Sequence, residues 1–331
     1  MNRVHAAALL LSVFPVAAEA PFEAVPTRGD SYVLAWSTRT EASGGDLEVT
    51  MGGSPIPSTY LPDLEIRSVS TLDARVTETW LDDGSSWLRR YDEIEHLREG
   101  DVIQDGAGEP WSHDVVARAE ERLVRFSRDG DDLEREFADD GAEEDFLDEL
   151  EPALGLRALL PDEPVEVGGS WTVAGEDLAL LWFPLGDAGW IVDEYTVSLL
   201  GFDITREEHA GELELVLEEL DGALATCRLT GELERASQRP GDLTPVPVVS
   251  GAATDYIDES WELEGELVWD VELGRIVSLE LEGEYDSVVV TEKDAGEPGP
   301  SYESSVHLTG THRVEVTSEP SDEVLSPSDR D

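Results

Sequence analysis

Cysteine and lysine are almost absent from this sequence of 331 residues. Cys227 is the only cysteine, so the chain cannot form an intramolecular disulfide and must be held together by its core. Lys293 is the only lysine, and all other basic residues are arginines. Beyond the N-terminus, no apolar run approaches the ~18 residues of a membrane-spanning helix. The sequence therefore predicts no transmembrane segment in the mature chain.

Positive charge is scarce overall, because 76 acidic residues outnumber 22 basic residues and leave a formal net charge of −54. A surface this negative repels nucleic acid and anionic membranes, so neither is an expected partner. A surface this negative is compatible with an environment of high salt or divalent cations, because these ions screen the repulsion between like charges. A genome biased toward Arg, Ala, Gly, Asp and Glu produces the same composition, and composition alone does not separate the two explanations.

The N-terminus has the pattern of an export signal. A basic residue precedes the apolar run Val4–Ala17, and small residues follow it. Cleavage after residue 18 avoids the unfavourable Pro21 that cleavage after residue 20 would leave at the new terminus. We expect residues 1–18 to be a signal peptide, with cleavage after residue 20 as the alternative. The protein is then extracytoplasmic, either periplasmic or secreted.

The stretch 259–286 alternates apolar and acidic residues with a period of two. Apolar residues occupy odd positions in both of its halves, which is typical of strands with one buried face and one solvated face. A three-residue turn at Glu272-Leu273-Gly274, with Gly274 at positive φ, keeps the two apolar rows on one face. The acids then cover the solvent face of an antiparallel sheet. The predicted pairs are Trp269 with Val277, Leu267 with Leu279, Leu263 with Gly283 and Trp261 with Tyr285.

A second hairpin follows the same pattern upstream, with its turn at Leu220-Asp221-Gly222. Cys227 lies in its apolar row, so we interpret this residue as a core residue rather than a redox thiol. In both hairpins a glycine follows the turn glycine by nine residues, at Gly231 and Gly283, which indicates a weak structural repeat. The predicted pairs are Leu217 with Ala225 and Leu215 with Cys227.

Further strands and two helices follow from the spacing of apolar residues. Helical spacing predicts a helix over Phe146–Leu160, kinked or divided at Pro152, and a shorter one over Glu176–Phe183. A helix over Val115–Phe126 is an alternative to one of the strands. The predicted strands are Tyr32–Trp36 and Leu47–Met51 around a turn at 43–46, Val69–Trp80 and Trp87–Leu97 around 82–84, Glu121–Arg128 and Leu133–Phe137 around 129–130, and Val306–Thr317.

These elements predict a mainly β fold of the α+β class, with one extended domain over residues 21–317. We expect a long curved antiparallel sheet or half-barrel of hairpins with one or two covering helices. Residues 318–331 are polar and contain two prolines, which predicts a disordered acidic tail. A transmembrane β-barrel also has alternating strands, but the dense acidic rows, the helical segments and the acidic tail argue against it.

No catalytic signature occurs in the sequence, which contains neither G-x-S-x-G, nor a P-loop, nor H-E-x-x-H. His307 and His312 are five residues apart on one predicted strand, so they face opposite sides and cannot share a metal. His312 falls in the apolar row, which favours a hydrogen-bonded core histidine over a buried titrating group. We therefore expect no catalytic residues, no metal ligands and no cofactor.

Residues 129–151 contain thirteen acids and one base, Arg135. An EF-hand loop starting at Asp129 would need an oxygen ligand at its fifth position, which is Leu133, so the calcium-loop pattern fails. A solvated acidic surface explains this segment, and weak binding of divalent cations is the alternative.

The segment LLPDEPVEVGGSW, residues 159–171, resembles a stretch in uncharacterised secreted bacterial β-rich proteins. Those proteins also carry hairpins similar to GELVWDVELGRIVSLELEG, and neither segment is a catalytic signature. More loosely, long hairpins with an internal helix are similar to the half-barrel of periplasmic lipoprotein carriers. That resemblance implies an activity of holding acyl chains in the concave side of a curved sheet. No specific binding residue of the carriers matches here, so the resemblance extends to architecture alone.

The apolar segment that follows Gly175 is the candidate ligand site. In part of this segment, the apolar side chains fall on one side of the predicted helix. Such a segment could serve as a removable lid over an apolar cavity, and a fixed plug of the core is the alternative. The candidate ligand-binding residues are Leu178, Leu181, Trp182, Phe183 and Trp190.

The sequence favours a non-catalytic exported protein that binds an apolar or acyl ligand, such as a lipid, in the concave face of a curved sheet. The first alternative is an acidic structural or cation-associated envelope protein. The second alternative is a hydrolase without a recognisable motif, since a fold does not by itself determine function.

Overall fold

The computed structural model describes residues 19–20, 22, 27–82, 84–129, 132–138, 146–150, 156–181, 185, 190–191, 206–240, 253–293 and 301–326. Fourteen strands form one antiparallel sheet, and β1 pairs separately with β9. The strands are β1 (Glu19–Ala20), β2 (Ser31–Met51), β3 (Ser54–Pro55), β4 (Leu64–Trp80), β5 (Ser86–Gln104), β6 (Ala107–Ala117), β7 (Leu123–Asp129), β8 (Asp132–Phe137), β9 (Val165–Glu166), β10 (Ser170–Ala174), β11 (Trp190–Ile191), β12 (Arg206–Asp221), β13 (Leu224–Pro240), β14 (Ala253–Asp270), β15 (Arg275–Lys293) and β16 (Tyr302–Pro320).

The main sheet is open and strongly curved. Its order is β10-β12-β13-β14-β15-β16-β2-β4-β5-β6-β11, and within the described residues the two end strands do not pair with each other. Arg98 on β5 interacts electrostatically with Arg235 and Arg239 on β13, although these strands lie far apart in the sheet order. Strands from opposite parts of the sheet therefore face each other. The predicted curved antiparallel sheet is confirmed.

Alternate residues of the long strands point to the concave side, which we call the inner face, and the others form the outer face. On β14 the inner residues are odd-numbered. Leu267 and Trp269 represent one half of the strand, and Asp255 and Glu259 represent the other. The inner face is therefore apolar toward one end of the strands and polar toward the other.

The predicted α-helices are short 3-10 helices in the structure. The segment 146–160 contains Leu147–Glu149 and Leu156–Leu159, and the second predicted helix corresponds to Gly175–Leu181. A further 3-10 helix covers Ser58–Tyr60. Pro152 lies between the first two in sequence and cannot continue a helical hydrogen-bond ladder. Leucines from these segments join the core that covers the apolar half of the inner face.

The β14–β15 hairpin has the predicted face and, for most pairs, the predicted register. Leu267 lies opposite Leu279, and Gly274 has a φ of 62° at the end of the turn. The predicted pair Trp269–Val277 is wrong, because a β-bulge after Val268 places Trp269 opposite Ile276. The pairs Leu263–Gly283 and Trp261–Tyr285 are confirmed.

The β12–β13 hairpin has the predicted face but a register shifted by two residues. Leu217 lies opposite Cys227, and Leu215 lies opposite Leu229. The strands close through a shorter turn, and a bulge between Leu217 and Glu219 keeps both apolar rows on the inner face. Cys227 is fully buried there, and burial raises the pKa of its thiol to about 12, so it packs as a core residue.

The predicted turn at 43–46 is wrong, because β2 continues through it as one strand with a bulge. Gly44 lies opposite Leu308 on one side and Ile66 on the other. A Cβ at Gly44 would come within 2.0 Å of the His307 carbonyl oxygen. Gly44 therefore permits β2 to lie close to β4 and β16, and it does not reverse the direction of the chain.

The other predicted strands are present and mostly longer than predicted. Asp82 closes the β4–β5 turn by accepting hydrogen bonds from the backbone N–H groups of Ser85 and Ser86, at 2.9 and 2.7 Å. The helix alternative for Val115–Phe126 is wrong, since β6 extends to Ala117 and β7 begins at Leu123.

A C-terminal strap, residues 321–326, follows β16 and contacts the outer side of the sheet. Leu325 is buried beside Leu88, and its backbone N–H donates to Thr79 Oγ1 at 3.0 Å. Glu323 accepts two hydrogen bonds from Arg90, at 2.5 and 2.9 Å. This differs from the expectation of a tail without structure from residue 318. Residues 327–331 lie outside the described residues.

The predicted signal peptide, residues 1–18, also lies outside the described residues. Ala20 is fully buried and pairs with Val165 in β9. A mature chain that begins at Glu19 would keep this pairing, and one that begins at Pro21 would lose it. Within the described residues, no helix combines the length and apolarity that crossing a membrane requires.

Candidate functional site

A cavity of about 80 Å3 lies at the apolar end of the inner face. Its walls come from the ends of β2, β4 and β5, from the β14–β15 hairpin and from the 3-10 helix Leu156–Leu159. Three tryptophans and four arginines dominate the lining, with one glutamate, one tyrosine and several aliphatic side chains. We call it the indole–arginine cavity.

Tryptophan rings form the apolar wall of the indole–arginine cavity. The ring centroids of Trp80 and Trp87 are 5.0 Å apart, and Trp87 stacks on Phe126 at 5.1 Å. Trp87 and Trp269 are only 4% and 3% exposed. Their indole N–H groups are buried and have no hydrogen-bond partner among the described residues. Because these N–H groups have almost no accessible surface, the rings contribute apolar surface rather than hydrogen-bond donors to the wall.

A buried ion pair forms the polar wall. Arg89 Nε donates to Glu78 Oε1 at 2.6 Å, and the Tyr32 hydroxyl donates to Glu78 Oε2 at 2.5 Å. Burial, together with the Glu78 charge, raises the pKa of Tyr32 well above its ordinary value, so Tyr32 stays a hydrogen-bond donor. Burial opposes the charge of Arg89, but the Glu78 carboxylate outweighs it and raises the pKa of the guanidinium. Both oxygens of the Glu78 carboxylate therefore already accept hydrogen bonds within the wall.

The other three arginines of the cavity are not paired with carboxylates. Arg128, Arg157 and Arg275 form no ion pair with any residue that the structure describes. On the outer face, by contrast, Arg39 and Arg228 donate to neighbouring glutamates at 2.7 Å. In a chain with 76 acidic residues, the described lining is unusual because its four arginines outnumber its one glutamate.

The turn of the hairpin explains why Arg275 lacks a carboxylate. Asp270 lies directly opposite Arg275 in the ladder. Asp270 Oδ1 instead accepts the backbone N–H groups of Glu272 and Leu273, both at 3.0 Å. The Nε atom of Arg275 is buried and has no hydrogen-bond partner among the described residues. Arg275 thus contributes to the lining a guanidinium group that has no carboxylate partner among the described residues.

The indole–arginine cavity is small, and its described lining holds few reactive groups. That lining contains no Ser, Thr, Cys or His, and its Tyr32 hydroxyl and Glu78 carboxylate are hydrogen-bonded to each other. The volume is also several times smaller than the roughly 300–1,000 Å3 of pockets that enclose a drug-sized ligand. The cavity can enclose a small molecule or one end of a larger one.

The sequence-predicted site residues lie elsewhere in the core or outside the described residues. Leu178 and Leu181 are 1% and 2% exposed and belong to the main core. Trp182 and Phe183 lie outside the described residues. Trp190 begins β11, opposite Ala117 of β6. The proposal that this segment is a removable lid stays a prediction.

The polar half of the inner face carries paired charges and a neutral histidine. Glu259 accepts hydrogen bonds from Arg235 Nε at 2.7 Å and from the Tyr285 hydroxyl at 2.6 Å. His312 is buried, hydrogen-bonded through Nδ1 to Thr40 at 2.8 Å, and burial lowers its pKa to about 4. The prediction of a hydrogen-bonded core histidine is confirmed.

A second concave feature, the acidic groove, crosses the outer face and has a volume of about 1160 Å3. Four of its glutamates lie directly opposite one another on adjacent strands: Glu212, Glu232, Glu262 and Glu284. Directly opposed like charges destabilise a sheet. Within the described residues, no group of three or more His, Cys, Asp or Glu side chains is arranged to hold a metal ion.

Neutralising one of these glutamates should stabilise the protein. Glu232 faces Glu212 and Glu262, whereas Glu234 on the same strand faces Ala210 and Ser260. We expect Glu232→Gln to raise the free energy of unfolding by about 0.2–1 kcal/mol at low salt, and the gain to shrink in molar NaCl. Denaturant unfolding measures it, with Glu234→Gln as the matched control. Equal effects of the two variants at low salt would show that direct opposition does not matter.

No family model matches the chain, and no curated protein matches it. Among solved structures the chain is weakly similar to outer-membrane channels. OccK7 of Pseudomonas aeruginosa has a TM-score of 0.23 and 8% identity, covering 87% of this chain and 99% of that chain. An outer membrane channel of Pseudomonas putida F1 scores 0.20 with 9% identity, covering 89% and 97%. The P. putida toluene transporter TodX scores 0.19 with 8% identity, covering 89% and 91%. Scores at this level establish neither a shared fold nor a shared function.

Proposed function

We propose that this chain is a non-catalytic, exported binding protein that holds one end of an apolar or acyl ligand in the indole–arginine cavity. The observation that carries the proposal is a cavity within the curved sheet whose apolar wall is made of indole rings and whose described charged groups are four arginines and one glutamate. Export is supported by the signal-like pattern of residues 1–18.

The geometry favours partial rather than complete enclosure of the ligand. The rest of the apolar inner face is covered by the protein's own leucines, including Leu150 and Leu159. A long acyl chain therefore has no room beside them, and the cavity accepts only its end. Arg128 and Arg157 are exposed, so the remainder of such a ligand can leave the cavity past them toward solvent.

Titration of the mature protein with octanoate tests this proposal. We expect saturable binding with a change in tryptophan emission, because the bound chain contacts the indole wall. Ile276→Phe should weaken binding by about tenfold or more, because overpacking the cavity costs about 1–3 kcal/mol. Val268→Phe, on the outer face of the same hairpin, is the matched control and should bind normally. Absence of saturable binding by the unmutated protein would refute the proposal.

An acidic, cation-associated envelope protein is the second candidate, and the acidic groove favours it. The groove is lined by glutamates from five strands of the sheet, β2, β12, β13, β14 and β15. If divalent cations associate with it, calcium should raise the unfolding midpoint more than NaCl does at matched ionic strength. That excess should shrink in Glu232→Gln. Equal stabilisation by the two salts would leave only general charge screening.

A further inference from the structure

The described lining of the indole–arginine cavity has more guanidinium groups than carboxylates to pair with them. Glu78 is the only acid among the lining residues that the structure describes, and it is already held by Arg89 and Tyr32. Arg89 contacts Glu78 through both Nε and Nη2, so one arginine–carboxylate pair is present in the wall. Arg128, Arg157 and Arg275 have no equivalent carboxylate among the described residues.

The charged groups of the lining that have no carboxylate partner among the described residues are all guanidinium groups. The indole N–H groups of Trp87 and Trp269 and the Nε–H of Arg275 have almost no accessible surface, so these atoms do not face the cavity. Both tryptophans are more than nine-tenths buried. An ammonium or a hydroxyl hydrogen would add another donor beside the guanidinium groups. A negatively charged acceptor pairs with a guanidinium group and compensates its charge at once.

Size and wall chemistry narrow the class of anion. The indole rings and Ile276 contribute apolar contact, so an apolar group next to the anion is favoured. A doubly charged phosphate would lie close to the Glu78 carboxylate, which repels two charges more strongly than one. A carboxylate is flat, carries a single charge and presents two oxygens, which matches an arginine side chain geometrically.

We infer that the ligand enters the indole–arginine cavity through a carboxylate, bound by the guanidinium of Arg275, with its apolar chain lying along the indole rings and directed outward. This inference rests on the proposed function and specifies the chemical class of its ligand. Arg128 and Arg157, exposed at the rim, attract the anion and are not required to bind it directly.

Four octyl compounds with one apolar chain and different end groups separate the possibilities. The unmutated mature protein is titrated with octanoate, octanol, octylamine and octyl phosphate, by calorimetry and tryptophan emission. We expect octanoate to bind roughly 10–100-fold more tightly than octanol, the effect of a hydrogen bond to a charged group. Octylamine should bind more weakly than octanol, because its charge is repelled by the arginines.

Arginine-to-glutamine variants test where the carboxylate of octanoate binds. Arg275→Gln should remove most of the preference for octanoate over octanol, and Arg39→Gln, on the outer face, should leave it unchanged. The melting temperature of each variant shows whether it is folded. Should Arg275→Gln unfold, Arg157→Gln is measured instead, and we expect it to weaken octanoate binding and its salt dependence while octanol binding stays the same.

The outcomes distinguish this inference from the proposed function. Equal binding of octanoate and octanol would leave the proposed function standing and refute the carboxylate. Tighter binding of octyl phosphate would replace the carboxylate by a phosphate. Octanoate preference that survives in Arg275→Gln and in Arg157→Gln would place the anion elsewhere. Failure of all four compounds to bind would overturn the proposed function itself.

Discussion

Leu267→Ala and Leu279→Ala should each lower the free energy of unfolding by about 2–5 kcal/mol. The two leucines lie directly opposite each other on the inner face and are 1% and 0% exposed. Truncation of either removes apolar contact and leaves a void that the neighbouring strands cannot close fully. Denaturant unfolding measures the loss, provided that the slope of the transition is unchanged.

Glu266→Ala is the matched control, since Glu266 adjoins Leu267 and points to the outer face. It lies opposite Glu280 in the ladder, so its removal should change stability little or raise it slightly. Comparable losses from Glu266→Ala and Leu267→Ala would show that the inner and outer faces of this hairpin are wrongly assigned.

Arg89→Ala should be about as damaging, at roughly 3–5 kcal/mol, because it leaves the buried Glu78 carboxylate without its counter-charge. Arg89 is 1% exposed, and its guanidinium also lies over the Phe126 ring, 5.0 Å from the centroid. Removal of the side chain therefore costs packing and cation–π contact in addition to the ion pair. Thermal and denaturant unfolding of the same preparation report the loss.

Arg90→Ala provides the comparison for this buried pair. Arg90 pairs with Glu323 of the C-terminal strap, where both side chains are partly exposed to water. Such pairs contribute about 0–1 kcal/mol, so Arg90→Ala should be several-fold milder than Arg89→Ala. Equal losses of stability in the two arginine variants would show that burial does not determine how much the Glu78–Arg89 pair contributes to the free energy of unfolding. The double variant Arg89→Ala with Glu78→Ala should recover part of the loss, since no unpaired buried charge remains.

The alternation of apolar and acidic residues was sufficient to predict the strands and their buried faces, because that pattern is a property of single strands. It was insufficient for register wherever a bulge occurs. The bulge after Val268 moves one pair, and the bulge between Leu217 and Glu219 moves a whole hairpin by two residues. A bulge changes which residues are opposed without changing which face is apolar, so the sequence pattern does not reveal it.

Glycine was ambiguous for a similar reason. Gly44 and Gly45 predict a turn from their composition, yet each lies where another strand's backbone leaves no space for a Cβ. Only the positions of β4 and β16 beside β2 show this, and those pairings join distant parts of the sequence. Local sequence therefore could not separate a turn from a close approach.

The indole–arginine cavity was missed because its members are distributed over the chain. Trp87 and Arg89 both fall on the inner face of β5, and an arginine in an otherwise apolar row was a usable signal. Arg275 was not distinguishable in this way, since its role depends on Asp270 being engaged by the turn. The contact between these two regions arises from the curvature of the sheet, which alternation alone does not specify.

The position of β2 constrains when this protein can complete its fold. β2 lies between β4 and β16, so Tyr32 is opposite Glu78 on one side and Pro320 on the other. During synthesis, hairpins such as β4–β5 and β12–β13 can form soon after their strands emerge, since their closing loops are short. One edge of β2 must wait until Tyr302–Pro320 has been made. Until then the nascent chain exposes unpaired strand edges, and its acidic outer face supplies the repulsion that keeps such edges from pairing with other chains.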